Sequence, residues 1–294
     1  MTYNCKDIPQ LSEAELITRY DAEATVCPTR YCRSKRWLDL ALAVVLAIPI
    51  LAVVVMLVWL VRRTSMGPGI FRQKRVGLHG RVFTIYKIRS MYMDAEQQLG
   101  PTWAAVDDPR VTPIGYWLRK LHLDELPQII NVLKGDMSFV GPRPERPEFV
   151  SLLCNDIDGY MNRLAVRPGV TGLAQIVLPP DSGWESARSK QLLDIEYIQH
   201  GNLLLDVRML SATALRILGV KGEWAIKLLR LRHISSIDGV ELVKPSCAPT
   251  SVRELAGSQQ VSESEDVAQF PNVQEPYSKN MEAAPTIEVE AITE

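Results

Sequence analysis

Cysteine is scarce and poorly placed for holding a metal. The 294 residues contain five, Cys5, Cys27, Cys32, Cys154 and Cys247. Only Cys27 and Cys32 are close, and no second Cys or His cluster completes a zinc site. An odd, scattered set reads as reduced thiols in a chain whose folded part faces the cytosol. Net charge is also nearly absent, at -1, so nothing in the total points to a nucleic-acid partner. That total hides an asymmetry: the middle is basic and the last fifty or so residues are acidic. From about Val243, Ser, Pro, Gln and Glu dominate, a composition too poor in apolar residues to fold, so the tail is expected to be disordered. It shows no repeat and no heptads.

Charge is missing altogether from residues 40–61. About 20 apolar residues suffice to cross a bilayer, so this is a membrane segment. It is a poor signal peptide, because it starts far from Met1, is too long, and lacks a small-x-small cleavage site. Cations flank it on both sides, Arg30, Arg33, Lys35 and Arg36 before and Arg62, Arg63, Arg72, Lys74 and Arg75 after. The positive-inside bias then favours keeping both ends cytosolic. Pro49 is central, where it kinks or breaks a helix. Pattern alone leaves a single span and a re-entrant path equally open, since Pro also occurs in spanning helices. Asp39 at the membrane edge has Lys35 and Arg36 at i−4 and i−3 as expected partners.

The chemistry is concentrated in the stretch Arg119-Lys120-Leu121-His122-Leu123-Asp124-Glu125-Leu126-Pro127-Gln128. Leu126, Ile129, Ile130 and Leu133 recur at helical spacing. Pro127 suits a first turn, and Gly135 a stop just after Lys134. This predicts a helix with Asp124 near its cap and Glu125 beside it. A helix start favours carboxylates and phosphates. An isolated Asp there is usually only a cap. Two adjacent carboxylates exceed that need, and Arg119, His122 and Arg143 lie near them in sequence. Carboxylates facing cations point to a divalent metal and a phosphate.

Other cations are placed by local pattern. Residues 81–89 read as a strand, putting Lys87 and Arg89 on the face of Phe83 and Ile85, as a diphosphate contact or a solvated edge. Arg143 stands between Pro142 and Pro144, a rigid mount for a fork that matches phosphate oxygens. Arg167 opens a Pro-Gly turn, as a further contact or an ordinary loop. Residues 188–218 are mostly helical, with Asp194 and Tyr197 on one face. Trp224, Leu228 and Leu231 among Lys221, Lys227, Arg230 and Arg232 suit either an interfacial helix or core packing.

In order, the chain carries Lys35-Arg36-x-x-Asp39, Phe71-x-Gln73-x-Arg75-x-Gly77, the run Phe83-x-Ile85-Tyr86-Lys87-Ile88-Arg89-Ser90-Met91, and Asp108-Pro109-Arg110-Val111-Thr112. Then follow Leu123-Asp124-Glu125-Leu126-Pro127-Gln128, the ten residues from Gly135 to Pro144, Val166-Arg167-Pro168-Gly169-Val170-Thr171-Gly172 and Leu193-Asp194-x-x-Tyr197. This ordered series, over residues 33–219, resembles the bacterial sugar transferase family, the monotopic phosphoglycosyl transferases. Undecaprenyl-phosphate galactose phosphotransferases are among its members.

The resemblance implies an α+β, mostly helical fold. It comprises a re-entrant membrane helix broken at Pro49, a small cytosolic catalytic domain with interfacial amphipathic helices, and a short β element. The implied division is an extension at 1–30, a membrane helix at 31–64, a catalytic domain at 65–235 and an acidic tail at 236–294. The implied activity moves a sugar-1-phosphate from a nucleoside diphosphate sugar, usually a UDP-sugar, to a polyprenyl phosphate at the bacterial inner membrane, with Mg2+. Asp124 would be the nucleophile, and Glu125 would help hold the metal or accept a proton. Lys87, Arg89, Arg119, Arg143 and Arg167 would contact phosphate or nucleotide, and Asp194 matches a further acidic position. Two departures stand out: many members have Trp at Leu173 and Ser at Asn202, which bears on substrate preference. Self-association stays open. The rival readings are a catalytically silent scaffold of polysaccharide assembly, for which the acidic tail speaks, and a single-pass enzyme with a periplasmic site.

Overall fold

A computed structural model describes residues 10–93, 95, 108–178, 184–217, 219–220 and 222–229. The acidic tail and the stretch 230–235 lie outside these residues. So do 101–107, and Lys221, Arg230, Leu231 and Arg232 of the interfacial pattern. Helices dominate, with four short strands.

The chain enters through α1 (Glu13–Glu23). Its Ser12–Glu15 capping box closes both ends of one turn, satisfying two otherwise orphaned amides. Leu16 is fully buried among Val76, Phe149, Leu153 and Met161. Arg19 bonds the Cys154 carbonyl and Asn155. Asn162 Oδ1 accepts from the backbone N–H groups of Thr25 and Val26. This segment is therefore strapped onto the body of the protein.

After α2 (Arg30–Ser34), α3 runs from Arg36 to Thr64. It is one continuous helix with Pro49 inside it, so the expected break at Pro49 does not divide it, although Pro49 itself donates no backbone hydrogen bond. Asp39, Ala43, Val54, Leu57 and Val61 are buried, a stripe at helical spacing along its whole length. Its first half packs on Ile85, Ile129 and Val132, its second half on Ile88 and Leu118. The expected ion pairs to Asp39 are not made. Lys35 instead bonds Asp206, the Tyr197 hydroxyl and the Val140 carbonyl. Arg36 takes the Val132 and Leu133 carbonyls. The reason is competition: carbonyls at a helix C-terminus and a buried acid are stronger claims on a cation than a neighbour one turn away. Asp39 Oδ1 accepts from the Phe139 N–H.

Strands β1 (Ile70–Val76) and β2 (Val82–Ile88) form an antiparallel hairpin pairing Phe71 with Lys87 and Arg75 with Phe83. Alternation therefore puts Gln73, Arg75 and Lys87 on one face. Thr112 caps α4 (Pro113–Lys120), with Pro at its start. Next come a 3-10 stretch, Leu123–Gln128, and α5 (Ile129–Lys134), closed by left-handed Gly135. Asn131, fully buried, bonds the Tyr86 N–H, the Thr84 carbonyl and Asp136. It stitches α5 to β2, and losing such a bond leaves a buried backbone group unpaired at about 1–3 kcal/mol.

Strands β3 (Ser138–Val140) and β4 (Gly169–Thr171) pair in parallel. The contact needs glycine: a Cβ on Gly169 would lie 2.1 Å from the Gly141 nitrogen. Helix α6 (Pro147–Asp156), a 3-10 stretch Tyr160–Ala165, and α7 (Leu173–Val177) follow. Then come α8 (Trp184–His200), α9 (Leu203–Ile217) and α10 (Gly222–Leu228). Leu173 is buried in the core that α8 and α9 share with β3. Asn202 accepts the Leu205 N–H and caps α9, work that Ser would do equally well.

Candidate active site

The Asp-Glu pair sits where two helical pieces meet. His122 adopts a left-handed conformation, φ 54°, which ends α4 and turns the chain. The expected α-helical cap at Asp124 is corrected to the first turn of the 3-10 stretch. Pro127 has no N–H to donate and its ring crowds the preceding turn, so regular α-helical bonding starts only at Ile129.

The two carboxylates have different surroundings. Glu125 Oε1 accepts from Lys87 Nζ at 2.8 Å and from Arg143 Nη2 at 2.7 Å. Arg143 Nη1 reaches the other oxygen at 3.5 Å. Burial opposes ionisation of Glu125, but the Arg143 and Lys87 charges outweigh it and hold the carboxyl well below its usual range. Asp124 is 8% exposed, and its carboxylate has no hydrogen bond or ion pair among the described residues. Burial pushes its pKa up and the Glu125 charge adds to that, against the pull of Lys87, Arg119 and Arg143. The result is a desolvated, unengaged carboxylate in a ring of cations.

Burial lowers the Lys87 pKa while Glu125 opposes the fall. Arg119 donates from Nε to Ser90 Oγ at 2.9 Å; its charge acts on Asp124 without bonding it.

Three expected contacts bond elsewhere. Arg89 gives its guanidinium to the Ser65 and Met66 carbonyls and Ser65 Oγ. It lies one residue past the end of β2, so it leaves the face that Lys87 shares. Arg167 donates to the Gly135 carbonyl at 3.0 Å. It lines a small cavity with Lys35, Asp39, Ser138 and Tyr197. Asp194 is gripped by Arg163 through Nη2 at 2.7 Å and Nε at 3.1 Å.

Sequence reasoning missed Arg163 and Glu145 as parts of this region. Arg163 falls in a 3-10 stretch with no periodicity to read. Arg75 appeared as a cation flanking the membrane segment and as a motif position; the register of the hairpin puts it on the face of Lys87.

Among the described residues, no group of three or more His, Cys, Asp and Glu side chains gathers as a metal cage. Mg2+ is usually held by one or two carboxylates together with substrate phosphates. The adjacent Asp124 and Glu125 fit that partial set, since Asp124 keeps its lone pairs free.

Residues 30–220 match the family described as bacterial sugar transferase. The UDP-N-acetylgalactosamine-undecaprenyl-phosphate N-acetylgalactosaminephosphotransferase of Aeromonas hydrophila is 44% identical over 189 residues, 64% of this chain and 44% of that protein. A putative undecaprenyl-phosphate N-acetylgalactosaminyl 1-phosphate transferase of Bacillus subtilis is 48% identical over 138 residues, 46% of this chain and 75% of the relative. The UDP-glucose:undecaprenyl-phosphate glucose-1-phosphate transferase of Escherichia coli is 39% identical over 189 residues, 62% of this chain and 39% of its own length. The chain thus spans less than half the length of the Aeromonas and Escherichia relatives. On the match across 30–220, this chain belongs to the bacterial sugar transferase family.

Proposed function

We propose that this protein transfers a sugar-1-phosphate from a nucleoside diphosphate sugar, a UDP-sugar by analogy with the names of its relatives, to undecaprenyl phosphate. The observation that carries the reading is the buried, unengaged carboxylate of Asp124 beside a Glu125 held by Lys87 and Arg143.

An Asp124 oxygen attacks the donor's β-phosphorus. The bond from that phosphorus to the bridging oxygen breaks, and UMP leaves with the electron pair. Asp124 then carries the phosphosugar as an acyl phosphate. A phosphate oxygen of the lipid attacks the same phosphorus, releases the carboxylate and forms the lipid diphosphate sugar. A carboxylate nucleophile divides one hard displacement into two easier ones. Phosphoryl transfer depends chiefly on positioning and neutralising charge, which Lys87, Arg119 and Arg143 supply around the diphosphate. Asp124 and Glu125 would hold Mg2+, which would supply charge neutralisation at the leaving phosphate. Glu125, kept ionised, holds Lys87 and Arg143 toward the donor.

The reading places the enzyme at the bacterial inner membrane with its site facing the cytosol. The extension at 1–30, membrane element at 31–64, catalytic domain at 65–235 and acidic tail at 236–294 are its parts. Both ends of α3 pack on one catalytic body, which supports a re-entrant path. There, a soluble donor and a lipid phosphate meet at the headgroup plane.

The test is a panel of UDP-, GDP- and dTDP-sugars incubated with purified protein, undecaprenyl phosphate and Mg2+ in detergent. The expected result is UMP release from at least one UDP-sugar, dependent on lipid for sustained turnover and abolished by EDTA. No nucleotide monophosphate from any donor would overturn the reading.

A further inference from the structure

The segment Pro142-Arg143-Pro144-Glu145 presents the fork that holds Glu125. Its two prolines have no N–H, so backbone donors cannot anchor it at those positions. The anchoring instead runs through its carbonyls, and each of the four is taken. The Pro142 carbonyl accepts from the Gly169 N–H at 2.8 Å, and the Glu145 carbonyl from the Val76 N–H at 2.9 Å. The two between them go to guanidinium groups. Arg163 Nη2 donates to the Arg143 carbonyl at 2.9 Å. Arg75 Nη1 donates to the Pro144 carbonyl at 3.0 Å.

Both guanidiniums are themselves fixed. Arg163 is held by Asp194 and donates from Nη1 to the Tyr160 hydroxyl at 2.6 Å. Arg75 Nη2 donates to Gln73 Oε1 at 2.6 Å. The Glu145 carboxylate lies 3.6 Å from Arg75 and 4.0 Å from Arg163, so it serves both charges. Asp194 and Glu145 compensate two cations placed behind a third. Uncompensated, such a group of like charges would not stay buried.

We infer that Arg163 and Arg75 are positioning residues: they grip the carbonyls of Arg143 and Pro144 and so keep the Arg143 guanidinium on Glu125 and aimed at the donor's diphosphate. Asp194 acts through Arg163 as its counter-charge. This rests on the transferase reading, which gives Arg143 to the diphosphate.

The experiment is a double-mutant cycle read by calorimetric titration of UDP with Mg2+. Arg163→Gln and Arg75→Gln are made in the wild type and in Arg143→Ala, with thermal melting of every variant. Each single clamp variant is expected to weaken UDP binding about tenfold, a loss of one charge-assisted bond's order. In the Arg143→Ala background the same changes should shift Kd less than about threefold, since the group they position is gone. Equal losses in both backgrounds would overturn the inference, because a general structural defect ignores Arg143. If Arg163→Gln fails to fold, Arg163→Lys and the less buried Arg75→Gln carry the same comparison. Nucleotide release by the wild type is read in parallel. Its absence sinks the transferase reading, whereas additivity in the cycle sinks only the clamp.

Discussion

At the scale of single residues, partners decide chemistry. Asp124 and Glu125 are neighbours of one charge type, yet Glu125 is bonded by two cations and Asp124 by none. Asp194 shows the same dependence in a form that can be measured. Burial pushes its carboxyl up to about 6, against the pull of Arg163. An unfolded Asp titrates near 3.9, so between these values the folded state keeps a proton that the unfolded chain has released. Stability therefore falls as pH rises through that window and levels off above it. Denaturant unfolding from about pH 4 to about 7 should show this fall in the wild type and a shallower one in Asp194→Asn. Identical slopes would contradict the assignment. The structure brings Lys87 and Arg143 together on Glu125, Lys87 from its place in the hairpin and Arg143 from between its two prolines. The partners of Arg89, Arg167 and Asp194 were not legible, because sequence does not say which cation a nearby carbonyl or acid has already claimed. Arg89 is spent on Ser65 and Met66, Arg167 on Gly135.

At the scale of elements, α3 carries the strongest argument. Its 29 residues span about 44 Å at 1.5 Å per residue, more than the ~30 Å hydrocarbon layer. A perpendicular span would separate its ends across the membrane. Yet Arg36 bonds the carbonyls that end α5, while Val61 lies against Ile88 and Leu118. One small body thus holds both ends. Single cysteines at Ser34 and Thr64, in a chain whose native cysteines are replaced by serine, should react with an impermeant maleimide from the same side. Both should label in inverted vesicles and neither in intact cells. Labelling from opposite sides would contradict the re-entrant reading. The apolar run was legible because it is a local pattern. The docking of α1 was not: one buried leucine, Leu16, gives no periodic signal, and its partners at 76 and 149–161 are remote in sequence.

At the scale of the whole molecule, the candidate site is assembled from distant pieces. Lys87 comes from the hairpin, the dyad from the join of α4 and α5, Arg143 from the turn after β3, and Arg163 with Asp194 from behind. Such long-range closure leaves no mark in any short window. The ordered motif series, read as a resemblance, supplied the family that windowed patterns left open. It did not supply the clamp, which exists only in the folded arrangement. The account depends on Asp124 becoming esterified, and this is measured most directly by intact-mass and peptide mapping after incubation with the turnover-competent UDP-sugar and Mg2+ without lipid. The predicted result is a sugar-phosphate adduct on the peptide bearing Asp124, absent from Asp124→Asn and discharged by added undecaprenyl phosphate. An adduct on another side chain, or none while lipid product forms normally, would contradict it.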